Sequence, residues 1–245
     1  MKKDITNMNI IKFNEIETQL QKQCVTIGQF DGLHLGHMEL IKRCLTEAKK
    51  EGLQPTLITF NPTIDEVLKK DTTRILTLDE MEKRIEKLGF KNFIIIDFNE
   101  EIKNMPCHLF IEVLKANLDI RKIIVGFDFT FGRTGIGNVN LLKETFQKDL
   151  IVIKKVNKSS KKIGTSLIKQ YIKKSKFKKA NSLLGYKFYI KPQKKDVFTA
   201  DNISILQNGK YKVRINGEKK QIEIVNKEII GVVDTSKIEF IKHLG

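Results

Sequence analysis

The sequence has little of what would place it outside a cell or in a membrane. Its three cysteines, Cys24, Cys44 and Cys107, form no Cys-x-x-Cys pair and follow no secretory spacing. A disulfide framework and a thiolate zinc site are thereby excluded. No stretch approaches the about 18 consecutive apolar residues that would cross a bilayer. The start, MKKDITNMNIIKF, lacks the sustained apolar region and small-residue cleavage site of a secretory leader. A soluble cytoplasmic protein with no membrane partner is expected. Carboxylates are scarce too: 29 Asp and Glu stand against 45 Lys and Arg, a net charge of +16. This favours anionic partners of every kind and selects none of them. No helix-turn-helix, zinc-finger or RNP-type motif accompanies the charge, so no nucleic-acid partner is expected. Clusters such as KQYIKKSKFKK at 169 to 179 read as solvated surface.

What is present is enough for one sizeable core and an appendage: 245 residues, 40% hydrophobic and 30% charged. Short apolar runs alternate with amphipathic ones. Strands are expected at 24–28, 56–60, 93–96, 122–125 and 150–153, and helices at 38–50, 79–88, 107–117 and 139–146. Such a rhythm predicts an α/β fold, a Rossmann-like parallel sheet covered on both faces, with its ligand crevice beyond the carboxyl ends of the strands. Residues 166–184 read as helix with a break near Lys174 or Ser175. From Tyr186 onward the pattern alternates, as in YKVRI and QIEIV, with Asn208-Gly209 and Asn216-Gly217 as hairpin signals. The expected division is a domain over 1–185 and a small β-rich one over 186–245.

At the end of the first long strand stands GQFDGLHLGH, which holds two of the four histidines, His34 and His37. Both would lie at the first turn of the following helix. A metal site lacks a third ligand pattern, so no metal ligand is expected. The better-supported reading is an anion cradle, in which unpaired helix N–H groups and the imidazoles receive phosphates while Gly32 and Gly36 let the backbone approach. The turn is neither a Gly-x-x-x-x-Gly-Lys nor a Gly-x-Gly-x-x-Gly loop. Histidine donors suit attack at an α-phosphate with departure of diphosphate. Asp31 is open to two readings, a turn cap or an active-site group. Phe127, Phe129 and Phe131 alternate as on one face of a strand, and Arg133, followed by Gly135 and Gly137, looks like a mobile cationic loop.

GQFDGLHLGH resembles the Gly-x-Phe-Asp-Gly-x-His-x-Gly-His signature of the adenylyltransferase domain of bacterial FAD synthetases, which are commonly bifunctional with riboflavin kinase. TFNPTIDEVL at 59–68 is similar to the family's Thr-Phe-x-Pro-His-Pro stretch, with Thr63 and Ile64 in place of His and Pro. VGFDFTFGRTGIGN at 125–138 resembles the Val-Gly-x-Asp-Phe-x-Phe-Gly segment, and IGTSLIK at 163–169 resembles Ile-Ser-Ser-Thr-x-Ile-Arg, with Lys169 replacing Arg. The resemblance covers about residues 10 to 185. It implies an FMN adenylyltransferase with ATP and FMN as substrates, FAD as product, and Mg2+ joining through phosphate oxygens and waters. It implies His34, His37, Asp31 and Lys169 as catalytic residues. As binding residues it implies Gly28, Gln29, Phe30, Gly32, Gly36, Asn61, Gly126, Asp128, Phe129, Phe131, Arg133, Thr165 and Ser166. The C-terminal kinase module of that family is roughly twice as long. VFTADN here keeps Phe198, Thr199 and Asn202 loosely and lacks the Gly-Phe-Pro core, so a reduced, inactive kinase-like module is expected.

Overall fold

A computed structural model describes residues 8–69, 72–158, 161–194, 198–232 and 234–245. The elements run β1 (Asn9–Lys12), β2 (Leu20–Ile27), α1 (Leu35–Glu51), β3 (Gln54–Phe60), α2 (Ile64–Val67), α3 (Leu78–Leu88), β4 (Asn92–Ile96), α4 (Glu100–Asn104), α5 (Cys107–Asn117) and β5 (Leu118–Gly126). There follow β6 (Thr130–Phe131), β7 (Gly137–Asn138), α6 (Val139–Phe146), β8 (Leu150–Ile153), β9 (Asn157–Lys158), β10 (Lys161–Lys162), α7 (Thr165–Lys173) and α8 (Phe177–Leu184). The C-terminal strands are β11 (Tyr189–Ile190), β12 (Gln193–Lys194), β13 (Phe198–Thr199), β14 (Gly209–Ile215), β15 (Glu218–Val225), β16 (Glu228–Ile230) and β17 (Ile238–His243). No helix among the described residues is long and apolar enough to cross a membrane.

Two compact units are present: Met1–Phe30, Gly36–Thr72 and Leu78–Lys155 form the first, and Asp31–Leu35, Thr73–Thr77 and Val156–Gly245 the second. In the first, a six-stranded sheet has the order β1-β4-β3-β2-β5-β8, parallel throughout. Its central strands are β-branched runs buried on both faces, with Val25, Leu57, Ile58, Phe93, Ile94 and Ile124 at 1% exposure or less. Each such side chain contributes about 1.5–3 kcal/mol relative to an exposed position. Helix α1 covers the sheet with Ile41, Cys44 and Ala48. The Sγ atoms of Cys24 and Cys44 lie 3.8 Å apart, and burial, followed by the neighbouring Cys24, pushes the Cys44 thiol well above its usual pKa.

Strand register is fixed by a polar ladder that hydrophobic patterning did not reveal. Asn92 Nδ2 donates to Gln23 Oε1 at 3.0 Å and to Thr56 Oγ1 at 3.1 Å, while Asn9 Nδ2 donates to Asn92 Oδ1 at 3.0 Å. A one-residue slip would leave these buried amides unpaired.

The chain moves outward through β2, β3 and β4, then returns to place β5 on the other side of β2. That reversal is the topological switch point of the sheet, where crevices for ligands open beyond the strand ends.

In the second unit, a five-stranded antiparallel sheet of order β11-β17-β14-β15-β16 shares a core with α7 and α8. Phe177 packs on Phe188 at 6.2 Å and on Phe240 at 5.4 Å, and Tyr211 meets Phe240 edge-on at 5.2 Å. The helix break expected near Lys174 or Ser175 is there, with Ser175 at φ 52° between α7 and α8. Asn216-Gly217 turns the β14–β15 hairpin with φ of 49° and 88°. Asn208-Gly209 does not turn a hairpin. Gly209 begins β14, and Asn208 instead accepts from Asn226 N at 3.0 Å, securing the β15–β16 turn at Asn226-Lys227.

Candidate active site

Three neighbouring parallel strands, β3, β2 and β5, end side by side in the first unit. Asn61 follows β3, Gly28, Gln29 and Phe30 follow β2, and Asp128, Phe129 and Phe131 follow Gly126 at the end of β5. The fold therefore brings these sequence-distant candidates to one edge. Gly28 N donates to Ile58 O at 3.1 Å, Thr59 Oγ1 donates to Gln29 O at 3.1 Å, and Asn61 N donates to Ile96 O at 3.0 Å. These bonds tie the β2 exit to β3 and the β3 exit to β4. Phe30 is buried at 1% exposure and meets the His37 ring edge-on at 5.2 Å. Helix α1 begins at Leu35, so His34 is the residue before it and His37 its third residue. Both histidines lie at the first turn, as their spacing predicted.

The strand face expected for Phe127, Phe129 and Phe131 is not formed. Strand β5 stops at Gly126 and Phe129 N donates back to Gly126 O at 3.1 Å, closing a turn that leaves Phe127 42% exposed. Phe131 alone is buried, stacked 5.7 Å from Phe129. At Gly126 a Cβ would sit 3.1 Å from Asp128 Oδ1, so the carboxylate folds over its own strand end. The Arg133 loop is anchored by Arg133 N donating to Met105 O at 2.7 Å. A Cβ at Gly132 would lie 2.7 Å from Cys107 Cα, and its φ of +71° favours glycine as well. The Arg133 side chain is exposed.

Within this unit lies a cavity of about 400 Å³, walled by Phe60, Phe98, Phe110 and Phe131 with Ile64, Leu68 and Ile102, and rimmed by Lys103 and Arg133. Phe60 and Phe98 meet edge-on at 5.8 Å, and Phe110 and Phe131 lie 5.7 Å apart. It suits a flat, apolar ring system with an anionic appendage toward Arg133, since Lys103 is paired with Glu100 at 2.9 Å. Sequence reasoning missed most of this wall. The aromatic residues at or just past two strand ends, Phe60 closing β3 before Asn61-Pro62 and Phe98 two residues after β4, were the available signal. Thr63, which departs from the resembling motif, caps α2: its Oγ1 accepts from Glu66 N at 3.3 Å, and its own N–H donates to Glu66 Oε2 at 2.7 Å.

In the second unit, Asp31 is 3% exposed and its Oδ1 accepts from Ile75 N at 2.9 Å and Leu76 N at 3.3 Å. Its Oδ2 lies 3.2 Å from Lys169 Nζ, itself 6% exposed, and Lys169 also donates to Thr73 O. Burial raises the Asp31 pKa above the usual carboxylate range, while Lys169 and the two N–H groups draw it back. Thr165 Oγ1 donates to Asp31 O at 3.3 Å, and Tyr186 Oη donates to Gly32 O at 2.8 Å. Ser166 is exposed beside Thr165 on the first turn of α7. Asp31, Gly32, His34, Thr165, Ser166 and Lys169 thus belong to one unit, with the Asp31–Lys169 pair clasping residues 31–35 to 73–77. Gly32 has φ +80°, and a Cβ there would press on Ile75 at 3.1 Å. Asn202 is also buried at 4% and its Nδ2 donates to Ile75 O at 3.0 Å, bracing the same segment. Among the described residues no three His, Cys, Asp or Glu side chains converge as a metal site.

The sequence model of FAD synthetase matches residues 16–168. The chain belongs to the FAD synthetase family. That stretch contains both histidines, the β5 exit and the start of α7. Among its relatives is the bifunctional riboflavin kinase/FMN adenylyltransferase of Bacillus subtilis, 29% identical over 181 residues, covering 72% of this chain and 57% of that protein. The protein of the same description from Buchnera aphidicola subsp. Schizaphis graminum is 32% identical over 228 residues, covering 85% of this chain and 71% of that one. An FAD synthetase of Listeria monocytogenes is 28% identical over 172 residues, covering 68% and 70%. The match thus spans little more than half the length of the Bacillus relative. A crystal structure of a protein described as a macrolide-efflux protein from Streptococcus pneumoniae superposes with a TM-score of 0.79 at 22% identity, covering 97% of this chain and all of that one. That likeness shows the α/β fold with its β-rich C-terminal part, and the fold alone.

Proposed function

We propose that the protein is a cytoplasmic FMN adenylyltransferase that makes FAD and diphosphate from ATP and FMN. The observation that carries the reading is the ring-lined cavity of about 400 Å³ with Lys103 and Arg133 at its rim, in a chain whose family match includes the histidine turn. The cavity receives the isoalloxazine ring of FMN, with its phosphate directed to the cationic rim. The turn over Gly28–His37 receives the phosphates of ATP, with Gly32 and Gly36 allowing close approach and His34 and His37 as donors. The family resemblance assigns nucleotide and flavin contacts to Asn61, Gly126 and Asp128 in the first unit and, separately, to Thr165 and Ser166 in the second. Asp31 and Lys169 serve by holding the turn in place.

In the reaction an oxygen of the FMN phosphate attacks the α-phosphorus of ATP in line. The new P–O bond forms as the α–β bridging bond breaks, and diphosphate leaves with the electron pair. The nucleophile is already anionic at neutral pH, so no strong base is required. The chain supplies position and N–H donors to the oxygens on which charge grows. Mg2+ would be brought with the ATP substrate and would supply charge neutralisation at its phosphates. Functionally, residues 1–185 carry adenylyl transfer and 186–245 are a reduced riboflavin-kinase-like module without kinase activity, a reading favoured by the buried, bonded Asn202. The test incubates the purified chain with FMN plus MgATP, and separately with riboflavin plus MgATP, and resolves the flavins chromatographically. FAD from FMN and no FMN from riboflavin is the expected result. Absence of FAD refutes the proposal.

A further inference from the structure

The outer face of the five-stranded sheet carries charge in an arrangement that local stability opposes. Along β14, Tyr211, Val213 and Ile215 are buried, while Lys212 and Arg214 lie on the other face. Lys242 on β17 stands directly opposite Lys212, and Lys219 on β15 directly opposite Arg214. Like charges so placed repel across an antiparallel pair, although Arg214 also faces Glu239 of β17 on its other side. An open hollow of about 540 Å³ on this face is lined by Lys212, Lys219 and Lys242 together with Lys176, Lys178 and Lys179, and its walls include no carboxylate. The last three lysines surround the start of α8, whose first turn holds no acidic residue, although the helix dipole disfavours cations there. A neighbouring hollow of about 230 Å³ shares Lys178 and Lys219 and adds Arg214 and Lys187; its Glu239 is already engaged by Lys187 at 3.5 Å and Lys237 at 3.1 Å.

We propose that this face binds the phosphate backbone of double-stranded DNA without reading base sequence. A duplex, with about one negative charge per 1.7 Å of axis, neutralises these cations with its phosphates, and the counterions it releases add a favourable entropy. The rings nearest the hollow, Phe177 and Phe240, are 1% and 3% exposed, so single strands find no stacking platform. An anionic bilayer needs a second, apolar anchor, and the lining offers no exposed apolar side chain. The lysines reach phosphate oxygens, and the lining holds no carboxylate or amide to accept from the 2′-hydroxyls by which a protein tells RNA from DNA. This site lies outside the residues proposed for adenylyl transfer and does not depend on that reading. The sequence expectation of no nucleic-acid partner rested on the lack of a motif; here the cations are assembled from four separate stretches of chain.

The test measures anisotropy of labelled duplexes of about 20 base pairs with the whole chain. With about four phosphates neutralised, raising salt from about 50 to 200 mM should weaken binding roughly 100-fold. The triple variant Lys178→Glu, Lys212→Glu, Lys219→Glu should bind at least about tenfold more weakly and with a shallower salt dependence. The charge-matched control Lys49→Glu, Lys50→Glu, Lys115→Glu should change binding little. Each single reversal in the hollow should give a part of the effect, which keeps the test decisive if the triple variant folds poorly. Equal losses in the two triple variants overturn the proposal. So does tighter binding to an RNA duplex of the same sequence, to a particular DNA sequence, or to phosphatidylserine vesicles.

Discussion

Replacing Lys169 by Met removes a charge from a site that is closed to water while keeping most of the side chain's volume. Asp31 would remain 3% exposed, with its Oδ1 still bonded to Ile75 N and Leu76 N but without the ammonium 3.2 Å from Oδ2. Removing one member of a buried pair costs about 3–5 kcal/mol. The two N–H donors that remain on Asp31 argue for the lower end, about 3 kcal/mol, and a fall in Tm of roughly 6–12 °C in a chain of this size. The loss should depend on pH. The folded-state pKa of Asp31 is already raised by burial. Its contribution is therefore most favourable below the unfolded value of about 4 and declines as pH rises through the folded value. Without Lys169 the folded value rises further, so Lys169→Met should lose more at pH 8 than at pH 5. Adding Asp31→Asn to this variant should flatten that dependence and restore part of the stability. Urea unfolding at the two pH values measures it. A loss under about 1 kcal/mol, equal at both, would refute the view that this pair clasps the turn.

His37→Ala should leave the fold intact and lower the rate of FAD formation by about 10²-fold, the usual effect of removing one donor to developing charge; stopped-time chromatography of the flavins reads it. Phe98→Ala opens the wall of the ring-lined cavity and should raise KM for FMN several-fold while KM for ATP stays near its original value, which steady-state kinetics with each substrate varied will separate. Native protein treated with a thiol-specific chromophoric reagent should react first at the partly exposed Cys107, with Cys24 and Cys44, both at 0% exposure, reacting only on unfolding; rapid reaction of all three would contradict the packing of α1 on β2.

The parallel sheet was legible because its strands are short β-branched runs, and α5, α6 and β8 lie at the residues that periodicity predicts. Strand β1 was not, since NIIK is a four-residue edge strand with an exposed Ile10 and no alternation to read. The histidine turn could be found from its glycines and its position between strand and helix. The partners of Asp31 could not. Ile75 and Leu76 are apolar residues that act through their backbone N–H groups, and main-chain donors leave no mark in side-chain chemistry. The cavity was hidden for a related reason: Phe60, Phe98, Phe110 and Phe131 come from β3, the β4–α4 connection, α5 and β6, each reading alone as ordinary core. Asn208-Gly209 shows the converse error, a strong turn signal used as a clamp on the next hairpin.

Residues 31–35 and 73–77 fold into the same unit as Val156–Gly245, where Tyr186 holds Gly32 O and Asn202 holds Ile75 O. The second unit thereby supports residues 31–35 from below whatever chemistry its strands do or do not perform. Under the proposed function, substitutions at Tyr186 or Asn202 would present as loss of nucleotide affinity in a genetic screen, although neither side chain need ever touch a nucleotide. Minimal versions of such an enzyme are best sought by redesigning this floor in place, and not by cutting the chain at Gly185.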